Sequence, residues 1–110
     1  MKLTFLYSSV ADLDEAIAFH RDALGLEEAW RMEDDSVAFA LPEDDSVQIM
    51  VGTDGQPAGP MYLVEDAAAW AAEHAIIPVV VPRYEIPGGA VIGLQGPGGN
   101  AFYVFDQPDA

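Results

Sequence analysis

The order of predicted strands and helices occurs twice along the chain, and this repetition constrains the fold more than any other feature. The first occurrence is strand, helix and three strands, written LTFLYSS, DLDEAIAFHRDALGL, EEAWRME, SVAFAL and SVQIMVG. The linker TDGQPAGP follows, and the second occurrence is PMYLVED, AAAWAAEHA, IIPVVVP, GGAVIGLQ and NAFYVFD. The sequence therefore predicts an internal repeat of about 50 residues.

The first half also predicts local features. Asp12 is the expected N-cap of the first helix, and Gly25 follows its expected end. The apolar members of this amphipathic helix, which we expect to be buried, are Leu13, Ile17, Phe19 and Leu24. The three strands after the helix are separated by the turns EDD and PEDD, which favours an antiparallel meander.

The two predicted modules, about residues 1–53 and 59–107, each carry one helix and four strands. A repeat unit of this size cannot bury its sheet face alone, so we expect both modules to join in one domain of the α+β class. The 110 residues, 51% of them hydrophobic, can supply a core of that size. The alternative is an ordinary α+β sandwich whose halves are alike by coincidence.

The charge and the absence of cysteine exclude several classes of function. Nineteen acidic residues against four basic ones give a net charge of −15, which disfavours nucleic acid and anionic membranes as partners. No signal-peptide pattern or apolar run of about 18 residues is present, so we expect a cytoplasmic protein. Without cysteine, a metal ion would need imidazole, carboxylate or amide ligands.

Two segments carry a resemblance to a known family. DLDEAIAFHRDALGL resembles the first-helix signature of the vicinal oxygen chelate superfamily, which includes glyoxalases, bleomycin resistance proteins and extradiol dioxygenases. GPGGN followed by AFYVF is similar to the closing glycine–asparagine turn and last strand of that family. The resemblance implies two paired βαβββ modules that form a curled, cleft-containing mixed sheet with the helices outside, and a homodimer.

In the metalloenzymes of this family, the resemblance implies four inward ligands around one divalent ion. The first-strand histidine position falls on Phe5, and the fifth-strand histidine position falls on Gly59 or Met61. The final glutamate position falls on Tyr103, which leaves Gln48 as the one compatible side chain. Since one amide cannot hold a divalent ion, we expect no metal or other cofactor.

Strand alternation predicts that aromatic and soft apolar side chains lie on the sheet face away from the helices. The predicted ligand-binding residues are Phe5, Tyr7, Gln48, Met50, Met61, Tyr103 and Phe105, with Trp30 from the second strand. A cleft with this lining suits a small aromatic or cationic compound. The alternative is that the same side chains fill the interior, because cores and pockets have similar compositions.

Two functions are compatible with these residues. One is a metal-free module that binds a small molecule and needs no catalytic group. The other is a lyase, isomerase or dioxygenase. Such an enzyme would use a divalent metal held by Gln48, Tyr103 and a carboxylate from Glu28 or Glu85, or acid–base chemistry at Tyr7 or Tyr103.

Three polar residues are expected to have structural roles. His20 lies in the first helix, where packing or surface exposure explains it. His74 ends the second helix, where a cation interacts favourably with the helix dipole. Asn100 is expected to stabilise the glycine-rich turn before the last strand through its side-chain amide.

Overall fold

The computed structural model describes residues 1–32 and 35–108, which belong to two compact units. Phe5–Ala58 is the first unit, and Met1–Thr4 together with Gly59–Ala110 is the second. Glu33, the predicted end of the second strand, lies outside the described residues. Within the described ranges, no helix is both long enough and apolar enough to cross a membrane.

The first unit contains one helix and a mixed sheet. Its elements are β1 (Lys2–Ser9, which begins in the second unit), α1 (Leu13–Ala18), a π-helical turn (Phe19–Ala23), β2 (Glu27–Met32), β3 (Ser36–Leu41) and β4 (Asp44–Gly52). The strand order is β2-β3-β4-β1, with β1 parallel to β4 and the other pairs antiparallel. The predicted antiparallel meander is confirmed.

The second unit repeats this arrangement. Its elements are β5 (Gly59–Leu63), α2 (Ala67–Glu73), β6 (Val79–Ile86), β7 (Gly89–Gln95), a 3₁₀ turn (Pro97–Gly99) and β8 (Ala101–Asp106). The strand order is β5-β8-β7-β6, with β5 parallel to β8 and antiparallel pairing elsewhere. The predicted pair of βαβββ modules and the α+β class are therefore confirmed.

The first helix starts and stops where its sequence predicts, but its buried side differs from the prediction. The Asp12 side chain accepts a hydrogen bond from the Glu15 N–H at 3.1 Å, which satisfies one open donor of the first turn. Gly25 follows the π-helical turn with φ +72°, a conformation that favours glycine. Phe19 and Leu24, expected to be buried, are each 53% exposed.

Helical geometry explains this correction. Ile17 packs into the core, and the inward position of the next turn falls on His20, three residues later. The His20 ring stacks on Phe39 with a centroid distance of 4.9 Å, and its Nδ1 lies 2.8 Å from the Ala16 carbonyl oxygen. Of the two roles expected for His20, packing and surface exposure, these contacts show packing. Phe19 lies outside the buried side of the helix.

In the second unit, α2 packs on the sheet face that carries Ile92, Leu94 and Val104. Phe102 lies against the same core, so the expected helix-facing side of β8 is confirmed. The Asp106 carboxylate accepts hydrogen bonds from the N–H of Ala67 at 2.6 Å and of Ala90 at 3.2 Å. One carboxylate therefore joins the start of α2 to the start of β7.

The glycine-rich turn before β8 has the structure that its sequence predicts. Gly98 and Gly99 have φ values of +73° and +76°, which side chains with a Cβ rarely adopt. The Asn100 Nδ2 donates to the Pro97 carbonyl oxygen at 3.1 Å. The predicted turn role of Asn100 is thus confirmed.

Candidate functional site

Four of the predicted ligand-binding residues lie together on one sheet face of the first unit. Phe5 is paired with Gln48, and Tyr7 with Met50, across the parallel strands β1 and β4. Directly paired residues share a face. Phe39 and its alternate neighbours point to α1, so this set points away from the helix, as predicted.

Trp30 reaches this face because β2 contains a bulge. Glu28 is paired with Phe39, but Trp30 is paired with Ala38, so two residues of β2 advance against one of β3. A bulge of this kind re-aims the following side chain. If the pairing continued regularly from Glu28, Trp30 would lie opposite Val37, on the helix side with Phe39. Sequence alternation alone does not reveal this bulge.

The indole crosses β3 to reach the centre of the sheet. Ser36, Ala38 and Ala40 are the residues of β3 on this face, and the methyl groups of the two alanines leave room above the strand. The Trp30 Nε1 donates to the Gln48 Oε1 at 3.0 Å. Phe5 meets Trp30 edge to face, with centroids 5.9 Å apart and planes at 88°. Phe5, Trp30, Gln48 and Met50 are all partly exposed, and we call these four residues the open face.

Tyr7 lies beside the open face but is only 6% exposed. Its hydroxyl donates to the Asp54 carboxylate in the loop after β4. The same carboxylate oxygen accepts from the Gln56 N–H at 3.1 Å, and the Gly55 N–H donates to the Ser9 Oγ at 2.9 Å. These bonds attach the loop to the end of β1 and place a carboxylate next to the phenol.

The corresponding face of the second unit is buried. Met61 is paired with Tyr103, and their exposed fractions are 5% and 1%. Phe105 lies two residues further along β8 and is 1% exposed. A Cβ added at Gly93 would lie 2.6 Å from the Val81 Cβ and 3.0 Å from the Tyr103 Cε1, so the Tyr103 ring lies against the Gly93 backbone. We call Met61, Tyr103 and Phe105 the closed face, and their predicted contact with a ligand stays a prediction.

The residues at the family's metal positions do not fit a divalent ion. In the first unit, Phe5 offers no donor atom, and the paired Gln48 already accepts a hydrogen bond at its only ligand atom, Oε1. In the second unit, the paired residues are Met61 and Tyr103, a thioether and a phenol. Neither pair supplies the imidazole and carboxylate ligands that zinc, iron or manganese sites use.

Of the two carboxylates considered as substitute metal ligands, Glu28 is in an ion pair and Glu85 is exposed. Glu28 accepts from Arg31 at 2.5 and 3.2 Å, and this hydrogen-bonded ion pair holds the pKa of the Glu28 carboxyl below its usual value. Glu85 is exposed on β6. In the part of the chain that the structure describes, no three His, Asp or Glu side chains are grouped so that they could share a metal ion.

The second tryptophan lies on the helix side of the second unit. Trp70 stacks on His74 with centroids 3.8 Å apart, and the His74 Nδ1 lies 2.7 Å from the Trp70 carbonyl oxygen at the end of α2. A shallow cavity of about 280 Å³ adjoins this helix, and the sequence pattern gave no sign of it. Its lining residues are Met1, Val64, Glu65, Asp66, Ala69, Trp70 and Glu73.

Comparisons with known proteins identify the fold. No family model matches the sequence, and no curated protein matches it. A hypothetical protein from Bacillus halodurans is 11% identical, with a TM-score of 0.74 over 99% of this chain and 96% of its own. Methylmalonyl-CoA epimerase from Streptomyces coelicolor is 14% identical, with a TM-score of 0.66 over 100% of this chain and 96% of its own.

A glyoxalase/bleomycin resistance protein/dioxygenase superfamily member from Vibrio splendidus gives a third match. It is 20% identical, with a TM-score of 0.59 over 93% of each chain. These likenesses extend over nearly the whole chain at low sequence identity. They confirm, at the level of the fold, the resemblance on which the sequence analysis relied.

Proposed function

We propose that this chain, which has the fold of the glyoxalase/bleomycin resistance protein/dioxygenase superfamily, binds a small aromatic compound without a metal ion. The proposed binding surface is the open face, where two aromatic rings and a thioether surround one amide. Small-molecule sites commonly combine apolar walls with a few directional polar groups. The partial exposure of these four side chains is the observation that carries the proposal.

The ligand can be neutral or cationic. The open face and its neighbours Tyr7, Ala38 and Ala40 include no lysine or arginine, and the whole chain carries a net charge of −15. That charge raises the local concentration of cations. Trp30 offers an indole ring, which is the best side chain for cation–π contact.

Titration of ¹⁵N-labelled protein with small aromatic compounds tests this proposal. The chain has two tryptophans, so two indole N–H signals report on two places. We expect the Trp30 signal to shift on binding, because its ring lies on the open face, while the Trp70 signal stays in place. The variants Phe5→Ala and Met50→Ala should weaken binding, because each removes part of the apolar wall.

A matched control is Phe19→Ala, which removes an exposed ring of the same unit outside the open face. This variant should bind as the parent does. If only the Trp70 signal moved, the cavity beside α2 would be the binding site and the proposal would be wrong. Metal analysis of protein purified without chelator provides a second test, since one tightly held equivalent of iron, manganese, nickel or zinc would contradict metal-free binding.

A specific contact supports a second candidate function, acid–base catalysis at Tyr7. The Tyr7 hydroxyl donates to Asp54, so the carboxylate could accept the phenol proton as the Tyr7 oxygen accepts a proton from a substrate, and both transfers would reverse when the proton is returned. The Tyr7→Phe variant separates the two functions. Binding on the open face should survive this substitution, whereas a reaction that depends on the phenol should be lost.

We also propose that the protein is a homodimer. Within the residues that the structure describes, β2 and β6 are each paired with one strand only, and such edges are commonly covered by another chain. Val79 and Val80 on β6 are 53% and 42% exposed, which adds apolar surface to one edge. Sedimentation at micromolar concentration should give twice 11.8 kDa. A monomer over that range would contradict this.

A further inference from the structure

The hydrogen bond between Trp30 and Gln48 determines which end of the Gln48 amide is available. An indole Nε1–H can only donate, so the atom that accepts from it must be the amide oxygen, Oε1. The Nε2 amino group therefore occupies the other end of the planar amide. Trp30 thus turns Gln48 from a group that can either donate or accept into a group with a defined donor end.

The donor end of Gln48 is available to a ligand. Among the described residues, no protein acceptor is paired with the Gln48 Nε2, while Oε1 has its partner in Trp30. No buried side-chain nitrogen or oxygen in the described part lacks a hydrogen bond, so the Nε2 is in reach of solvent. A molecule on the open face would therefore meet an N–H donor on a residue that neighbours Phe5 and Trp30.

Three separate features of the first unit produce this arrangement. The bulge at Ala29 puts Trp30 on the correct face, and the small side chains of Ala38 and Ala40 allow its indole to cross β3. Phe5 then packs against the indole with its ring plane perpendicular to that of Trp30. Because the amide is held in one orientation, little rotational freedom is lost when it donates to a ligand.

The charge of the protein limits which kind of hydrogen-bond acceptor a ligand can present to Gln48. A carboxylate would bring a negative charge to a chain with a net charge of −15, and no cation lies on the open face to balance it. A neutral carbonyl oxygen accepts the same hydrogen bond without that repulsion. We propose, building on the proposed function, that the open face selects aromatic compounds bearing a neutral carbonyl, with Gln48 as donor and Trp30 as its positioning residue.

Two isosteric probes test this selection. Acetophenone carries a carbonyl where α-methylstyrene carries a C=CH₂ group, so the pair differs mainly in the acceptor. Titrations of the unsubstituted protein at pH 7, followed by the Trp30 indole signal, should show acetophenone binding about 3- to 10-fold more tightly, the value of one net hydrogen bond. Benzoate, which adds the negative charge, should bind more weakly than acetophenone.

Variants assign this preference to the proposed residues. In Gln48→Leu the donor is absent, so acetophenone and α-methylstyrene should bind equally. In Trp30→Phe, followed by ligand-observed NMR, the amide loses its fixed orientation and the preference should fall. Gln95→Leu, at an exposed glutamine of β7 in the second unit, is the matched control and should keep the full preference.

The possible outcomes distinguish this inference from the proposed function. Equal binding of the two probes to the unsubstituted protein would overturn the donor role of Gln48, while aromatic binding on the open face would stand. Tighter binding of benzoate than of acetophenone would overturn the selection for a neutral acceptor. If neither probe moved the Trp30 signal, both the inference and the proposed function would be rejected. The comparison in the unsubstituted protein requires no variant to fold.

Discussion

The two units have the same order of elements and the same strand pairing, yet their sheet faces away from the helices differ. In the first unit this face carries Trp30 and Gln48, joined by a hydrogen bond and partly exposed. In the second unit the corresponding face carries Tyr103 and Phe105, each 1% exposed. One backbone plan therefore supports a surface that a ligand can reach and a surface that belongs to the interior.

The difference originates in a few residues that differ between equivalent strands of the two units. Gln48 on β4 and Tyr103 on β8 occupy matching strands of the repeat, each paired with the first strand of its unit. The third strand of the first unit has Ala38 facing Trp30, whereas the third strand of the second unit has Gly93 against Tyr103. Small residues make room for a large ring in both units, but the ring of the first unit is hydrogen-bonded to a partly exposed amide, whereas the Tyr103 ring of the second unit is buried.

The largest expected difference in stability is between two variants that each remove one ring, Tyr103→Ala on the closed face and Phe5→Ala on the open face. Tyr103→Ala should lower the free energy of unfolding by about 3–5 kcal/mol, because it leaves a cavity in a buried site. Phe5→Ala should cost about 1–2 kcal/mol, because its ring is already partly exposed. Urea unfolding measures both values. Equal losses would remove the distinction between the open and closed faces.

A second comparison concerns two aspartates that accept hydrogen bonds from the starts of the helices, Asp12 at α1 and Asp106, the last residue of β8, at α2. Asp106→Ala removes the acceptor for both Ala67 and Ala90, and we expect a loss of about 2–3 kcal/mol. Asp12→Ala removes a single cap at Glu15, with an expected loss of about 1 kcal/mol. Asp106→Asn, which keeps one side-chain oxygen, should fall between them. Urea unfolding that ranked Asp12→Ala as the more damaging change would show that the Asp106 contacts contribute little.

The sequence was sufficient for the repeat because its signals are local. Asp12 and Gly25 mark the ends of the first helix, and Gly98 and Gly99 mark the turn before β8; each depends on backbone chemistry of a few residues. Hydrophobicity alone does not predict the buried side of the first helix, because Phe19 is more hydrophobic than His20. Helical spacing nevertheless places His20 inward against Phe39.

The candidate site required information that alternation does not contain. Alternation placed Phe5, Tyr7, Gln48 and Met50 on one face, which the strand pairing confirms. The bulge at Ala29, which decides where Trp30 points, has no signature in EEAWRM. Whether a face is exposed or buried also depends on tertiary packing, because aromatic side chains suit both a pocket and a core.

Salt should stabilise the protein, because the acidic side chains repel one another across the chain. A net charge of −15 opposes compaction. Sodium chloride screens this repulsion, and the distance over which the charges repel one another becomes shorter as the salt concentration rises. We expect the melting temperature to rise by a few degrees up to roughly half molar salt. Repeating the scan with Arg31→Gln, which breaks the exposed pair with Glu28, should leave the slope similar or steeper. A flat or falling melting temperature would show that the acidic groups are already compensated.

The smallest expected effect lies at the hairpin between β3 and β4 in the first unit. The Asp44 carboxylate accepts from the Ser46 Oγ at 2.5 Å and from the Ser46 N–H at 2.9 Å, and these hydrogen bonds lower the pKa of Asp44. A carboxyl with a lowered pKa in the folded state contributes stability above its usual pKa, and that contribution is lost as the pH falls through the folded-state value.

Ser46→Ala removes the hydroxyl donor, which is the larger cause, and keeps the backbone N–H. In a carboxyl NMR titration, the pKa of Asp44 should therefore rise towards its usual value without reaching it. Glu28 is the internal control, because its lowered pKa depends on Arg31 and should not change in this variant. Since Asp44 is exposed, acid unfolding of Ser46→Ala should begin at only a slightly higher pH. A Ser46→Ala protein with an unchanged Asp44 pKa would show that the backbone N–H alone lowers it, and the Ser46 hydroxyl would then add nothing to the acid sensitivity of the first unit.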